Sequence, residues 1–542
     1  MAGPVLLSHV CRMISVRQAA FDVFRAHGLT TIFGNPGSTE LPMLADFPAD
    51  FRYVLGLQEG VVVGMADGYA QATGRPALVN LHSAPGVATA MGALVNAAGA
   101  RTPLVITAGQ QVRALLTAEA LLTNPDPRSL PRPLVKWSFE PPRPQDVPAA
   151  LARAVHLATL PPKGPVFVSL PMDDWGAEVD AGRVNQLTQR TVHANAGPDQ
   201  AALGSLAGRL AAARSPVLLV GAGLDTREAW QPAVELAERY RLPVYWAPLE
   251  PRCGFPTAHP AFQGVLPATE AGVGKALQEH DLVLVAGASV FRYYPHEPGQ
   301  VLADDATLVM LTDDPQEAAR AALGEAIVGD LATALRWLAA AAATSERRHP
   351  PTGPRPQPTG STDPTPTAAA VYAAIAQTTP PERVVVCESV SNMRDCQDQI
   401  RFQAPGSFYS PGGASLGFGL PAAIGVQLAR PDRPVLAVVG DGALQYTVPA
   451  LWSAARYRVP VTVVVLRNDR YAVLEDYCRL LGTNGVPGLQ VPGIDTVQLA
   501  RGYGLPASRA ESLEELREEL RRPVTGPRLL EVPIDRTSAK HW

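Results

Sequence analysis

A chain of 542 residues is too long for one hydrophobic core and fits three domains of ordinary size. Its 46% hydrophobic and 18% charged residues suit a compact protein, and a formal net charge of −4 gives no basic excess for a polyanion such as nucleic acid. The longest apolar run, 331–343, is interrupted by Arg336, and the five cysteines (Cys11, Cys253, Cys387, Cys396, Cys478) lack metal-ligand spacing, so no membrane span and a reduced, cytoplasmic setting are expected.

Residues 1–12 show neither a basic n-region nor a clear cleavage site and read as an extension without a signal peptide. From Met13 helix and strand signals alternate. Helical spacing over 16–27 leads to a short strand at 31–33 and the loop GNPGSTELP. A strand at 52–57 precedes Gln58-Glu59-Gly60 and an Ala/Gly-rich helix reaching Thr73. The strand 77–81 ends at His82; a small-residue helix is expected after Pro85-Gly86, then a strand at 104–107. This predicts a doubly wound α/β domain over 13–185, with Ser38, Glu59 and His82 at or just beyond strand ends. A second βαβ pattern, 190–343, has strands at 216–220, 243–246, 282–285 and 307–311. Its Gly-Ala-Gly, 221–223, lacks the third glycine of a dinucleotide fingerprint, because Thr226 stands there, and reads as a tight turn. Residues 344–367, rich in proline and polar side chains, read as a surface linker. The third domain, 368–542, opens with a helix at 368–377 and a strand at 384–387, and closes with a helix at 513–520 and a strand at 528–532.

The stretch 434–474 carries the chemistry. An apolar run, 434–439, ends in Gly440-Asp441-Gly442; helical spacing follows (Leu451, Ala454, Ala455); a β-branched run, 461–465, then stops at Asn468-Asp469. Two parallel buried strands are predicted, with polar residues at their ends, the edge where open α/β sheets bind ligands. Asp441 and Asn468 supply hard oxygen ligands beside exposed amides and a helix N-terminus, which suits a magnesium diphosphate. A Gly-Asp-Gly by itself would be only a turn.

Gly-Asp-Gly followed by Asn in one βαβ unit resembles the cofactor signature of thiamine-diphosphate enzymes. The strings FGNPGSTELP, VVGMADGYAQATGRPA, NLHSAPG, LPRPLVKWSFE and SLGFGLPAAIGVQLA extend the likeness from Met13 to the last strand. They are most similar to the 2-oxo acid decarboxylases of the benzoylformate decarboxylase type. The resemblance implies an α/β fold of three doubly wound parallel-sheet domains (pyrimidine, central and diphosphate). It implies thiamine diphosphate and Mg²⁺ as cofactors, in active sites between subunits of a homo-oligomer, usually a tetramer. The implied reaction is non-oxidative decarboxylation of an aromatic 2-oxo acid, benzoylformate to benzaldehyde and CO₂.

Carried over residue by residue, Asp441, Asn468 and the carbonyl of Arg470 are the implied Mg²⁺ ligands. Glu59 matches the glutamate that hydrogen-bonds the aminopyrimidine, a task that favours apolar burial. Ala414 matches the residue whose carbonyl holds the 4′-amino group, and Leu416 the apolar wedge beneath the bent cofactor. Ser391, Gly440, Gly442 and Tyr471 are the remaining implied cofactor contacts. His82 matches a proton-transferring histidine and Ser38 a serine that holds the substrate carboxylate. Pro36, Gly37, Leu122, Val473 and Tyr477 fall where a pocket for an aryl or branched acyl group is lined.

Some positions depart from the pattern. Tyr294 in FRYYPHEPGQ stands where the family has a second histidine, with His296 two residues on; a tyrosine, of unperturbed pKa near 10, is the poorer acid near neutrality. Val390 and Ala443 replace hydroxyl residues, and Arg467 and Arg470 replace small polar ones, so the guanidiniums are expected either to take over phosphate contacts or to repel the metal. Two alternatives stay open: a decarboxylase or carboligase for another 2-oxo acid, in the manner of acetolactate synthase, and a non-catalytic homologue.

Overall fold

The computed structural model describes residues 12–194, 196–342, 347–354, 356 and 365–536. The expected extension up to residue 11, much of the expected linker (344–346, 355, 357–364) and the last six residues lie outside them. The chain divides into two units, residues 1–70 with 75–193 and residues 71–74 with 194–542.

The first unit is built on a parallel sheet of six strands. Their spatial order is Arg52–Leu55, Thr31–Gly34, Ala77–Leu81, Leu104–Gln110, Val166–Pro171, Trp137–Phe139. Ala77–Leu81 and Leu104–Gln110 are buried throughout, which is why they read as unbroken apolar runs instead of an alternation. The helix Val16–Ala26 starts where the Ser15 hydroxyl accepts from the Gln18 amide, and it buries Ala20, Val23 and Phe24 against the sheet. The chain leaves Thr31–Gly34 toward one edge of the sheet and returns on its other side at Ala77–Leu81. That reversal opens a crevice beyond the strand ends.

Two local expectations change. The helix after His82 begins at Ser83, with Pro85 and Gly86 in its first turn, where a proline lacks no needed N–H. The strand expected to stop at Thr107 runs on to Gln110, because parallel pairing with Val166–Pro171 continues through Gly109.

The second unit holds two more six-stranded parallel sheets. The central one is ordered Phe262–Val265, Val244–Trp246, Pro216–Val220, Leu282–Ala286, Thr307–Thr312, Glu325–Val328. The C-terminal one is ordered Phe408–Tyr409, Val384–Glu388, Val435–Gly440, Val461–Arg467, Arg528–Pro533, Ala507–Arg509. The strands at 262–265, 325–328, 408–409 and 507–509 were not foreseen: each is a short outer strand with no periodic signature, and its pairing defines it. Both sheets reverse order beside their first strand, between Pro216–Val220 and Leu282–Ala286 and between Val384–Glu388 and Val435–Gly440. The sheets share a core in which Trp246 packs edge-on against Phe408, ring centroids 5.2 Å apart.

Candidate active site

In the first unit the crevice collects most of the residues singled out there. Strand Thr31–Gly34 feeds the loop bearing Pro36, Gly37 and Ser38, and strand Ala77–Leu81 ends at His82. The side chain that organises them is one sequence reasoning passed over. Glu40, 1% exposed, accepts from the amides of Gly37 and Gly109 (2.8 Å each) and from the Thr39 hydroxyl (2.7 Å). Its Oε2 lies 3.0 Å from His82 Nδ1, which is also 3.1 Å from Thr39 Oγ1. Facing a carboxylate, Nδ1 carries the proton, and Nε2 is left to act elsewhere. Gly37 is obligatory here, since a Cβ would lie 2.1 Å from His82 Nδ1.

Glu59 opens the helix Glu59–Thr73 and accepts from the Asn35 side chain, Nδ2, at 3.0 Å. It is half-buried with a polar partner, so the apolar enclosure expected for it is not met within this unit. Gly86 lies between Glu59 and His82: a Cβ there would sit 3.3 Å from His82 Cβ and 3.5 Å from Glu59 Cγ. Pro36 and Ser38 are exposed. Leu122, half-buried with φ of 72°, sits in a turn held by Gln111 through the Leu121 carbonyl and by Gln110 through both the amide and the carbonyl of Asn124.

In the second unit the expected βαβ pair forms as read. Val435–Gly440 and Val461–Arg467 are parallel neighbours, with Gly440 opposite Leu466. Asp441, 7% exposed, accepts from Asp469 N at 2.8 Å through Oδ2 and from Gly442 N at 3.0 Å through Oδ1, which draws the two strand ends together. Burial pushes its carboxyl above the ordinary range, against the pull of those amides. Asn468 Oδ1 accepts from Arg470 N at 3.2 Å. A Cβ on Gly440 would meet nothing within 4 Å, whereas one on Gly442 would lie 2.6 Å from the Tyr471 ring. Ser391 Oγ accepts from Val473 N at 2.9 Å, fixing the start of helix Ala472–Leu481 to the end of strand Val384–Glu388.

The two arginines have other partners than those anticipated. Arg467 binds Asp469 (2.9 Å) and the buried Glu531 (3.2 Å), and Arg470 pairs with Glu475. Each guanidinium therefore faces a carboxylate of its own unit. Among the described residues no group of three or more His, Cys, Asp or Glu side chains forms a metal cage. One carboxylate, one amide oxygen and one backbone carbonyl are a sparse, hard donor set that suits an ion keeping water and phosphate ligands, as Mg²⁺ does.

A second overlooked carboxylate, Glu388, closes the buried strand VVVCE. It accepts from the amides of Gly417 (2.7 Å), Phe418 (3.1 Å) and Gly419 (2.7 Å) and so fixes the loop carrying Ala414 and Leu416. Burial pushes its carboxyl up to about 7, opposed by those three amides. Ala414 holds φ at 60°, a left-handed backbone that re-aims its carbonyl. Tyr294 is exposed and packs on Tyr477, centroids 5.0 Å apart. Burial and the Tyr294 hydroxyl raise the Tyr477 phenol well above its ordinary value. Tyr477 and Val473, four residues apart on one helix, share a face. His296 is exposed, and it is Tyr294 that meets Tyr477.

Family models match three segments: the thiamine pyrophosphate enzyme N-terminal TPP binding domain over 14–127, the central domain over 203–338, and the C-terminal TPP binding domain over 391–532. The chain is 48% identical to a benzoylformate decarboxylase of Pseudomonas aeruginosa, covering 96% of this chain and 99% of that protein. Among solved structures, a thiamine diphosphate-dependent 4-hydroxybenzoylformate decarboxylase of Rhodococcus jostii superposes with a TM-score of 0.94 at 45% identity, covering 97% of this chain and 100% of that one. A benzoylformate decarboxylase of Polynucleobacter necessarius does so with 0.93 at 38% identity, covering 97% and 99%. The chain belongs to the thiamine pyrophosphate enzyme family.

Proposed function

We propose that this chain is a carboxy-lyase that uses thiamine diphosphate to decarboxylate an aromatic 2-oxo acid, benzoylformate or a ring-hydroxylated relative, to the aldehyde and CO₂. The observation that carries the reading is the Glu40–His82 pair beside Glu59 at one sheet edge: a histidine with one nitrogen fixed by a buried carboxylate and the other left for proton transfer. When bound, the cofactor supplies the sink for the electron pair released as the carboxylate leaves.

The chain's own residues hold, orient and exchange protons. Asp441, Asn468 and the Arg470 carbonyl would hold Mg²⁺, and the open space at Gly440 with the Gly442 turn would let a diphosphate approach backbone amides closely. Glu59 would hydrogen-bond the aminopyrimidine and hold or release a proton at its carboxyl, the Ala414 carbonyl would accept from the amino group, and Leu416 would support the ring. Ser38 receives the substrate carboxylate, and His82 Nε2 handles the proton of the adjacent oxygen. Tyr294, backed by Tyr477, donates to the product-forming end, while Leu122 and Val473 offer apolar walls to the aryl ring.

The reading extends to a cytoplasmic homo-oligomer, a tetramer, with active sites between subunits. It is supported by helix Ala472–Leu481, which buries Ala472 alone while Leu474, Leu480 and Leu481 are exposed, a face suited to cover by a second copy. No helix among the described residues is long and apolar enough to cross a membrane, and the four described cysteines are free thiols.

The test is to load the protein with thiamine diphosphate and Mg²⁺ and follow CO₂ and aldehyde from benzoylformate, 4-hydroxybenzoylformate, pyruvate and branched 2-oxo acids. Turnover of the aryl substrates at least ~10-fold above pyruvate is expected, the scale of a pocket that distinguishes apolar groups. A protein that binds no thiamine diphosphate by calorimetry, or releases CO₂ from none of the aryl acids, overturns the reading.

A further inference from the structure

The Gly-Ala-Gly turn of the central sheet lies at that sheet's own switch point, the position where open α/β folds take the phosphates of a nucleotide on backbone amides. Here a carboxylate of the chain stands in that position. Glu250, 6% exposed, reaches back from the segment after strand Val244–Trp246. Its Oε2 accepts from Ala222 N at 3.0 Å and its Oε1 from Ser289 N at 3.3 Å, so one carboxylate ties together the turns that follow the two strands flanking the crevice. A Cβ on Gly221 would lie 2.7 Å from Glu250 Oε2 and 2.6 Å from Ala288 Cβ, so the crevice is closed by packing as well as by charge.

The carboxylate is also linked outward. Arg292 Nε lies 4.0 Å from Glu250 Oε1 and donates to Ser289 Oγ at 3.4 Å, while its Nη1 donates to the Gly412 carbonyl at 3.1 Å. Arg292 is two residues before Tyr294, and Gly412 two before Ala414. The same anion therefore anchors a guanidinium that spans the tyrosine loop and the loop assigned above to the aminopyrimidine.

We propose that Glu250 is a resident anion in place of a bound one, and that through Arg292 it is a positioning residue for the Tyr294 and Ala414 loops. The positioning half rests on the carboxy-lyase reading; the anion half does not.

Full-length Glu250→Ala and Glu250→Gln separate the two. In the cofactor-free protein, sodium formate at about 50 mM is expected to raise the melting temperature of the Ala variant by roughly 2–4 °C and to leave the native chain and the Gln variant where chloride leaves them. In the loaded protein, the Ala variant is expected to bind thiamine diphosphate about fivefold or more weakly, the usual scale of coupling between sites, with formate restoring affinity. Formate no better than chloride overturns the resident anion. Should the Ala variant fail to fold, the Gln variant decides the positioning half: it retains one acceptor and loses the charge that holds Arg292, so an unchanged cofactor affinity overturns that role.

Discussion

The central and C-terminal sheets of the longer unit each reverse their strand order between two neighbouring strands, and in each a Gly-X-Gly closes one of the two: the first strand, Pro216–Val220, in the central sheet and the second, Val435–Gly440, in the C-terminal one. The central turn, Gly221-Ala222-Gly223, is crowded: its amide is bonded by Glu250, and a Cβ on Gly221 has no room. The C-terminal turn, Gly440-Asp441-Gly442, leaves open space at its first glycine and carries its own carboxylate, drawn against the amide after Asn468. Similar local chemistry therefore serves packing in one crevice and leaves open space, the proposed ligand site, in the other. What decides is a residue on a third segment, present in the central sheet as Glu250. The helix that follows the central turn agrees: Thr226, standing where a dinucleotide fingerprint would have its third glycine, caps the helix Arg227–Tyr240 through the Ala229 amide at 3.1 Å.

The largest effect that would break this contrast is at Asp441. Asp441→Ala is expected to weaken thiamine diphosphate binding in the presence of Mg²⁺ by about 100-fold or more, as loss of a charged metal ligand should. Calorimetry that found undiminished affinity would place the cofactor elsewhere than the C-terminal crevice. Glu59→Gln comes next. Cofactor affinity should stay within about tenfold while turnover falls roughly 100- to 1000-fold, the range of a lost acid–base group, as read by steady-state CO₂ release. Glu40→Gln removes the charge opposite His82, with an expected loss of about 10- to 100-fold in turnover; the same variant in a His82→Ala background should cost little more, because Glu40 acts through the histidine.

A pair of alanine substitutions sharpens the comparison between the turns. Gly440→Ala, at φ −71° with nothing within 4 Å, should melt with the native protein yet bind cofactor about tenfold more weakly. Gly221→Ala should instead destabilise the fold by about 1–3 kcal/mol through overpacking, seen in thermal or urea unfolding. Equal outcomes for the two would erase the distinction between an open and a filled crevice.

The smallest effect concerns pH. Asp225, just past the central turn, accepts from Gly406 N at 2.8 Å on the C-terminal side, and burial pushes its carboxyl up to about 6 against the pull of Arg252. A folded pKa above the unfolded one means protonation stabilises the fold. That contribution, on the order of 2–3 kcal/mol, is complete below about pH 4 and is lost as pH rises through 6. Asp225→Asn should flatten the dependence of melting temperature on pH between about 4 and 6; a native slope would assign the effect to other groups, Glu388 first.

The strings around Ser38, Glu59 and His82 pointed to their site because each lies within a few residues of a strand end, and strand ends are visible as the close of an apolar run. Tyr294 was legible only as a departure from a pattern; its pairing with Tyr477 joins positions far apart in the chain. Nothing in the sequence announces that Arg467 and Arg470 have Glu531 and Glu475 as partners.

By itself, then, the amino-acid sequence determined most of the buried strands, the helices between them and the spacing of Asp441 and Asn468, all products of local periodicity and of one βαβ unit. Tertiary structure alone decided the three carboxylates that hold the loops: Glu40 bonds an amide 69 residues away, Glu250 amides 28 and 39 away, and Glu388 an amide 31 away. The physical reason is that a buried carboxylate needs donors that converge on it, here backbone amides, and amides carry no sequence signature; they are brought together by which strands become neighbours.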